Sequence, residues 1–352
     1  MNFSEKELVS VVIPVYNGEK FLVKLLDSLQ KQTYKKLEII TVNNNSKDNS
    51  LNLLKSLNEK IDFKIISNKK NEGYSGGCNR GFDVATGNYV LFLSQDRVMN
   101  NDWIEKTVSK MKENEKIGCV IGKVIIKEAS SPEFGHSYDI FGAVLINGIP
   151  DEKNLFFGGG TVLFKKKVLD EVGCFDAKFF GWQEDVDICW RVMLAGYSIK
   201  IEKNAECFGD GVAISDTFFE NGKYHITFDS ELINMSLMRF YYSQRNRIRT
   251  LLKNYSTKNI WKRLPITIII LILRGTYMTI KNKNISYFLA IMKGFFWNIA
   301  QINETLKLHN EIQNLRILDE KEIEKKMIQE SIELKAMKMM IKQFLKKGIK
   351  KL

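Results

Sequence analysis

Three carboxylates stand within four positions in the run Phe179-Phe180-Gly181-Trp182-Gln183-Glu184-Asp185-Val186-Asp187-Ile188-Cys189-Trp190-Arg191, among bulky apolar residues that a merely solvated face does not carry. A helix beginning near Glu184 places Glu184, Asp187 and Ile188 on one side and turns Asp185 about 100° away from Glu184. Asp187 then meets Arg191 at the i,i+4 spacing of a helix ion pair. One acid is spent on structure, and another is left free for chemistry.

A fourth acid, Asp96, follows the apolar run Tyr89 to Leu93 through Ser94 and Gln95. A carboxylate at the end of a strand suits a divalent cation held against a diphosphate by hard oxygen ligands. Taken alone, such an acid more often caps the helix that follows. The glycines Gly73, Gly76, Gly77 and Gly81, within Asn71 to Gly81, either let backbone approach a nucleotide or simply turn the chain. Trp182 can stack on a sugar or pack in a core, and Trp190 reads as core. His136, His225 and His309 have no mutual spacing that makes a metal site, and no role is assigned to them.

The elements that must position these groups alternate. Val9 to Pro14 is an apolar run that ends in a turn, and Phe21, Leu22, Leu25, Leu26 and Leu29 follow at helical spacing. Leu37 to Val42 is a second strand, Ser46 to Ser56 begins a helix, and Phe63 to Ile66 is a third strand. Tyr89 to Leu93, Ile117 to Ile126 and Thr161 to Phe164 continue the series, and a helix from Lys166 leads to the acidic run. Such alternation implies a parallel sheet covered by helices, with ligands at the carboxyl ends of the strands.

From Leu237 onward the composition becomes helix-forming, basic and apolar. Residues 1–233 therefore read as a catalytic domain and 234–352 as a helical region. Leu264 to Leu273 and Ile285 to Ile302 are apolar but shorter or more interrupted than the run a spanning helix needs. The tail from Lys335 to Leu352 holds seven lysines, no acids and apolar residues at helical spacing, which suits an amphipathic helix on an anionic membrane.

The 352 residues, 44% of them hydrophobic, exclude disorder for most of the chain, and the net charge of +12 favours anionic partners. Cys78, Cys119, Cys174, Cys189 and Cys207 are widely spaced without a C-x-x-C, so a reducing compartment is the simpler reading. Met1 to Ser10 lacks the basic flank and apolar core of a signal peptide, which places the protein on the cytoplasmic side. Basic charge without aromatic and basic residues interleaved on strands argues against nucleic acid.

The order of the pieces is more specific than any one of them. Val11 to Asn17, Val42-Asn43-Asn44-Asn45-Ser46-Lys47-Asp48, Asn71-Glu72-Gly73 through Asn79-Arg80-Gly81, Leu91 to Asp96, and Glu184-Asp185-x-Asp187-x-x-x-Arg191 resemble the family 2 inverting glycosyltransferases over about the first 210 residues. Tyr241-Tyr242 through Arg245-Asn246 extend the likeness toward a rhamnosyltransferase-like branch. The resemblance implies a GT-A fold: α/β, with a mostly parallel central sheet and flanking helices, followed here by the helical region.

By the same resemblance, Pro14, Tyr16 and the loop holding Asn43, Asn44, Ser46 and Asp48 surround the base and ribose of a nucleotide. Gly73, Asn79, Ser94 and Gln95 belong to the same donor site, Asp96 is the metal ligand, and Asp185 is the base with Glu184 beside it. Mg2+ or Mn2+ is the implied cofactor. The chain departs from the family pattern at Asn43, where an acid is usual, and in Glu206-Cys207-Phe208-Gly209-Asp210, where a histidine ligand is missing and Asp210 is the substitute.

The expected activity is transfer of a sugar, with rhamnose as first choice because of Ser94-Gln95-Asp96, from a nucleotide-diphosphate donor to a glycan or lipid-linked saccharide at the cytoplasmic face of the membrane. The helix dipole is expected to keep Asp185 ionised and weakly basic. Arg245 and Arg247 either grip an acceptor diphosphate or meet lipid headgroups. The alternative for the whole chain is a catalytically degenerate partner subunit.

Overall fold

The computed structural model describes residues 7–126, 132–147, 150–153, 156–209, 217–220, 223–226 and 236–338. Its first half alternates strand and helix: β1 (Val9–Val15), α1 (Glu19–Gln30), β2 (Leu37–Asn43), α2 (Ser50–Asn58), β3 (Lys64–Ser67), α3 (Gly73–Phe82) and β4 (Tyr89–Leu93). Then come β5 (Arg97–Met99), α4 (Trp103–Lys112), β6 (Ile117–Ile126), β7 (His136–Tyr138), β8 (Val144–Asn147), β9 (Thr161–Lys165) and α5 (Lys166–Val172). A 3-10 turn over Ala177–Phe179 precedes α6 (Glu184–Leu194), which starts where the acidic spacing predicts. β10 (Ser198–Gly209), β11 (Thr217–Glu220) and β12 (Lys223–Ile226) follow.

The main sheet has the order β3-β2-β1-β4-β9-β6-β10-β5. β3, β2, β1, β4, β6 and β10 run the same way, while β9 and β5 oppose their neighbours. The expected mostly parallel sheet is thus present, with an antiparallel strand inserted at its centre. β1 is buried throughout, as a strand covered on both faces must be. Its alternate residues feed different cores: Val12 joins Ile40, Phe92 and Trp190, while Val11 and Ile13 join Leu25, Leu29 and Trp103. A smaller sheet of order β12-β11-β8-β7, which the sequence patterning did not reveal, flanks the first.

The second half is helical: α7 (Leu237–Asn254), α8 (Thr257–Asn282), α9 (Ser286–Ala300), α10 (Ile302–Asn314) and α11 (Glu320–Glu324). These helices share a core with the sheet, because Leu251 and Tyr255, together with Ile312, Ile323 and Met327, pack into the cluster that holds Trp190. α7 also packs on α8 and α9 through Phe240, Ile248 and Leu252. α7 is therefore the element through which the helical half reaches the acidic run.

Candidate active site

The strand ends form the first wall. β1 runs out into Tyr16, whose backbone is clamped by one side chain: the Tyr16 N–H donates to Gln95 Oε1 at 2.9 Å, and Gln95 Nε2 donates to the Tyr16 carbonyl at 3.1 Å. Asn44 bridges two neighbours, donating from Nδ2 to the Gly73 carbonyl at 2.9 Å and accepting from Asn68 Nδ2 at 2.7 Å. Gly73 has φ +73°, and a Cβ there would lie 2.0 Å from the Phe180 carbonyl oxygen. A side chain would be strained at that φ and would also collide with the loop before α6.

These residues surround a cavity of about 360 Å³ lined by Pro14, Tyr16, Asn44, Gly73, Ser94, Gln95 and Asp96, with Phe180 on its far side. The other residues expected at the donor site lie behind this wall. Asn43 is 3% exposed and accepts the Ser46 N–H on Oδ1. Ser46 accepts the Asn17 N–H, and Asp48 accepts from Glu19 N–H and from both the N–H and hydroxyl of Ser50. Burial alone would raise Asp48, but these bonds hold it below the usual carboxylate range. Asn79 exchanges hydrogen bonds with the backbone of Phe175.

The loop before α6 forms the second wall. Phe180, Trp182 and Gln183 have φ of 64°, 66° and 72°, a left-handed conformation that side chains other than glycine rarely adopt. α7 holds them there. Asn246 Nδ2 donates to the carbonyls of Phe179, Gly181 and Trp182 at 2.9, 2.9 and 2.7 Å, and the Arg245 guanidinium donates to those of Lys178 and Phe179. The Arg245 plane also stacks within 4.5 Å of the Tyr242 ring and 4.1 Å of the Trp297 ring. Of the two arginines singled out in the sequence, Arg245 is thereby committed to the loop.

The loop delivers Glu184 and Asp185 to a second cavity of about 390 Å³, shared with Trp182, Arg97, Gln244 and Arg247. Half-buried Asp185 accepts the Val186 N–H at 2.8 Å. Burial pushes its carboxyl up to about 7, against the lowering effect of the Val186 and Asp185 N–H groups. Lost hydration therefore outweighs the N-terminal dipole, and Asp185 is more basic than the sequence led us to expect. Burial first, and then the Asp185 charge, push Glu184 well above the carboxylate range, so the pair readily retains one proton.

Asp187 is fully buried and faces the other way. Arg191 meets its Oδ2 at 3.0 Å, Lys253 meets the same oxygen at 2.9 Å, and Asn254 donates to Oδ1 at 2.9 Å. The predicted ion pair is real, but α7 turns it into a closed cluster. His136 is a cavity residue that sequence reasoning passed over: it stacks on Phe157 at 4.7 Å, and its Nδ1 makes no hydrogen bond among the described residues.

The two cavities meet along consecutive residues, with Asp96 in the first and Arg97 in the second. Arg97 lies 3.4 Å from an Asp96 oxygen. Among the described residues no group of three or more His, Cys, Asp or Glu side chains could hold a metal, and Asp210 lies outside the described residues. Asp96 is the one carboxylate among the described residues lining the first cavity.

Residues 10–173 match the family described as Glycosyl transferase family 2. Poly-beta-1,6-N-acetyl-D-glucosamine synthase of Staphylococcus aureus (strain COL) is 30% identical over 213 residues, covering 59% of this chain and 51% of that protein. The Staphylococcus epidermidis synthase is 30% identical over 207 residues, covering 57% and 50%. The chain thus spans about half the length of the curated relatives it matches. Among solved structures, GalNAc-T7 with UDP, GalNAc and Mn2+ aligns with a TM-score of 0.56 at 14% identity, over 85% of this chain and 58% of that one. S. aureus TarS 1-349 aligns with a TM-score of 0.51 at 15% identity, over 88% and 90%. Fold and sequence point the same way: the chain has a GT-A-type fold, and residues 10–173 are similar to glycosyl transferase family 2.

Proposed function

We propose that the protein is an inverting glycosyltransferase, with a nucleotide-diphosphate sugar in the cavity at the ends of β1, β2 and β4 and the acceptor in the cavity holding Asp185. One observation carries this reading: a carboxyl with a pKa near 7 lines one cavity, and the strand ends that suit a nucleotide line the next. An acceptor hydroxyl attacks the anomeric carbon as its proton passes to Asp185, and the bond to the diphosphate breaks with its electrons leaving on that group. A single displacement inverts the centre. Glu184, kept protonated, leaves Asp185 as the ionised partner.

Asp96 would offer a hard oxygen ligand to Mg2+ or Mn2+, whose charge would help neutralise the leaving diphosphate. Tyr16, 41% exposed, offers a ring to the base. The likeness at Ser94-Gln95-Asp96 and Tyr241 to Asn246 favours a rhamnosyl donor, whereas the staphylococcal synthases favour N-acetylglucosamine. A glycan or lipid-linked saccharide is the acceptor class, and the outward apolar face of α8 and α9 supports peripheral attachment to a membrane.

The test is a calorimetric and nucleotide-release screen of dTDP-rhamnose and UDP-N-acetylglucosamine, with and without Mn2+ or Mg2+, on wild type and Asp96→Ala. Metal-supported binding and nucleotide release with one donor, lost in Asp96→Ala, is the expected result. Binding without turnover with any acceptor would indicate a degenerate partner subunit, and no binding at all would overturn the donor site.

A further inference from the structure

Several buried polar atoms around the Asp185 cavity make no hydrogen bond among the described residues: Arg97 Nε, His136 Nδ1, Glu184 Oε2, Gln244 Oε1 and an Arg247 terminal nitrogen. A buried donor or acceptor left unpaired is costly, so several around one space mark a site built for a polar occupant.

Arg247 is the most constrained of them. Its side chain is 3% exposed, Nε donates to the Phe141 carbonyl at 2.8 Å, and Nη1 pairs with Glu333 at 2.8 Å, which leaves Nη2 without a hydrogen bond among the described residues. Gly142 makes room for it, since a Cβ there would lie 2.8 Å from Arg247 Cγ. Arg239 and Arg274 line the same space, and Arg97 enters from β5. Of the acids on the cavity wall, burial raises Glu133 and, more strongly, Glu184. The guanidinium groups of Arg97, Arg239, Arg247 and Arg274 thus share this wall with Glu133, Glu184, Asp185 and Glu333, the last held low by Arg247 and Arg274 despite its burial, and Arg97 also lies 3.4 Å from Asp96.

We propose that this cavity recognises an acceptor saccharide carrying a phosphate group, with Arg247 as the fixed donor to the phosphate, Arg239 and Arg274 around it, and Gln244 accepting from a sugar hydroxyl. A planar guanidinium with one free edge suits a phosphate oxygen, and the adjoining Trp182 ring offers a face to the sugar. The assignment rests on the acceptor side of the proposed function and deepens it.

The full-length protein is titrated calorimetrically with methyl glucoside, methyl glucosyl phosphate and dodecyl glucosyl phosphate, and in a separate arm with the nucleotide sugars. The phosphate probe is expected to bind at least tenfold more tightly than methyl glucoside. Arg247→Lys, which keeps a charge for Glu333 but loses the fork, is expected to weaken phosphate binding about tenfold. Should Arg247→Lys melt at a lower temperature than the wild type, Arg239→Gln serves instead, with a severalfold loss expected. Equal affinity for the neutral and phosphate probes, or undiminished phosphate binding in the variant that folds, overturns the assignment. Equal binding of the methyl and dodecyl phosphates locates recognition in the phosphate itself, and tighter binding of the dodecyl probe assigns a lipid-linked source. Failure of every nucleotide sugar to bind strikes the donor reading alone.

Discussion

Asn246 Nδ2 lies 2.7 Å from the carbonyl oxygen of Trp182, and the same nitrogen also reaches the carbonyls of Phe179 and Gly181. A single α7 side chain therefore holds a loop that contains the left-handed residues Phe180, Trp182 and Gln183, two positions before Asp185. Backbone in that region costs of order 1–3 kcal/mol per residue and persists only when its surroundings over-determine it. Asn246 is thus a positioning residue for the proposed base. Asn246→Ala is expected to lower kcat about 100-fold, the scale on which small displacements act. Nucleotide-sugar affinity should fall much less than kcat, because Asn246 reaches the first cavity only through Phe180 of the loop it holds. Steady-state kinetics with donor titration checks the split; a rise in KM for donor at constant kcat contradicts it.

Asp185→Asn keeps the shape of the side chain and removes its basicity. Transfer is expected to fall by a factor on the order of 10³, within the range for loss of a general base, while calorimetry still finds donor binding. Near-normal turnover in this variant would remove Asp185 as the base.

The pH dependence follows from the same carboxyl. Transfer should rise as pH passes through about 7, where Asp185 ionises. Stability should move the opposite way. Asp185 and Glu184 hold protons more tightly when folded than the ordinary carboxylate range of about 4 allows, so their favourable contribution is complete below that range and is lost as pH rises through the folded values. Asp185→Asn should therefore melt above the wild type at pH 8, and the gap should narrow at pH 5. Scanning calorimetry at both pH values decides; a variant less stable at pH 8 contradicts the burial argument.

The sheet was largely legible because continuous apolar runs such as Val9 to Val15 report burial on both faces, and the start of α6 because three acids crowd one turn. Pro14, Tyr16, Asn44, Gly73, Ser94, Gln95 and Asp96 do share a cavity. Asp48, Ser46 and Asn79 instead spend their polar atoms on backbone, and nothing in a side chain's type reveals which partner it will find. Asn246, Arg247 and Lys253 act on a loop or an acid about 60 or more residues earlier in the chain, a distance that short-range periodicity does not span. β5 and β7, three residues each, are too short to show alternation.

Asp187 and Lys253 give a prediction about folding rather than chemistry. Burial opposes the ionised form of Asp187, but Lys253 and Arg191 together hold it below the usual range. Its contribution is therefore present above the ordinary carboxylate range and lost as pH falls below it, the reverse of Asp185. Asp187→Leu would leave buried Arg191 without its carboxylate, although Lys253 keeps Asp176 at 2.9 Å, and is expected to cost about 3–5 kcal/mol, the scale of a broken buried ion pair. Denaturant unfolding should show that loss at pH 7 and progressively less of it as pH falls below the ordinary carboxylate range. An unchanged midpoint at pH 7 would show that the cluster does not stabilise the fold.

The outer surface of α8 and α9 supplies the last prediction. Ile269, Leu273 and Ile280 on α8 and Leu289, Phe296 and Ile299 on α9 are all exposed at helical spacing, while Ile270, Leu271, Gly275 and Met278 face inward. Leu264 to Leu273 alone read as too short to span a bilayer, yet α8 is 26 residues long and passes that test by length and composition. Its buried side packs on α7 and α9, so a helix lying in the interface accounts better for one wet apolar stripe than a spanning helix does. Exposed Lys258, Lys262, Lys283 and Lys293 add attraction to anionic headgroups. Full-length protein is expected to sediment with vesicles of anionic phosphatidylglycerol and to dissociate in part at high salt. Ile269→Glu with Phe296→Glu should lower the bound fraction at least fivefold without shifting the melting temperature by more than a few degrees. Vesicle binding unaffected by the pair would move the contact to the lysine-rich tail, whose residues 339–352 lie outside the described residues.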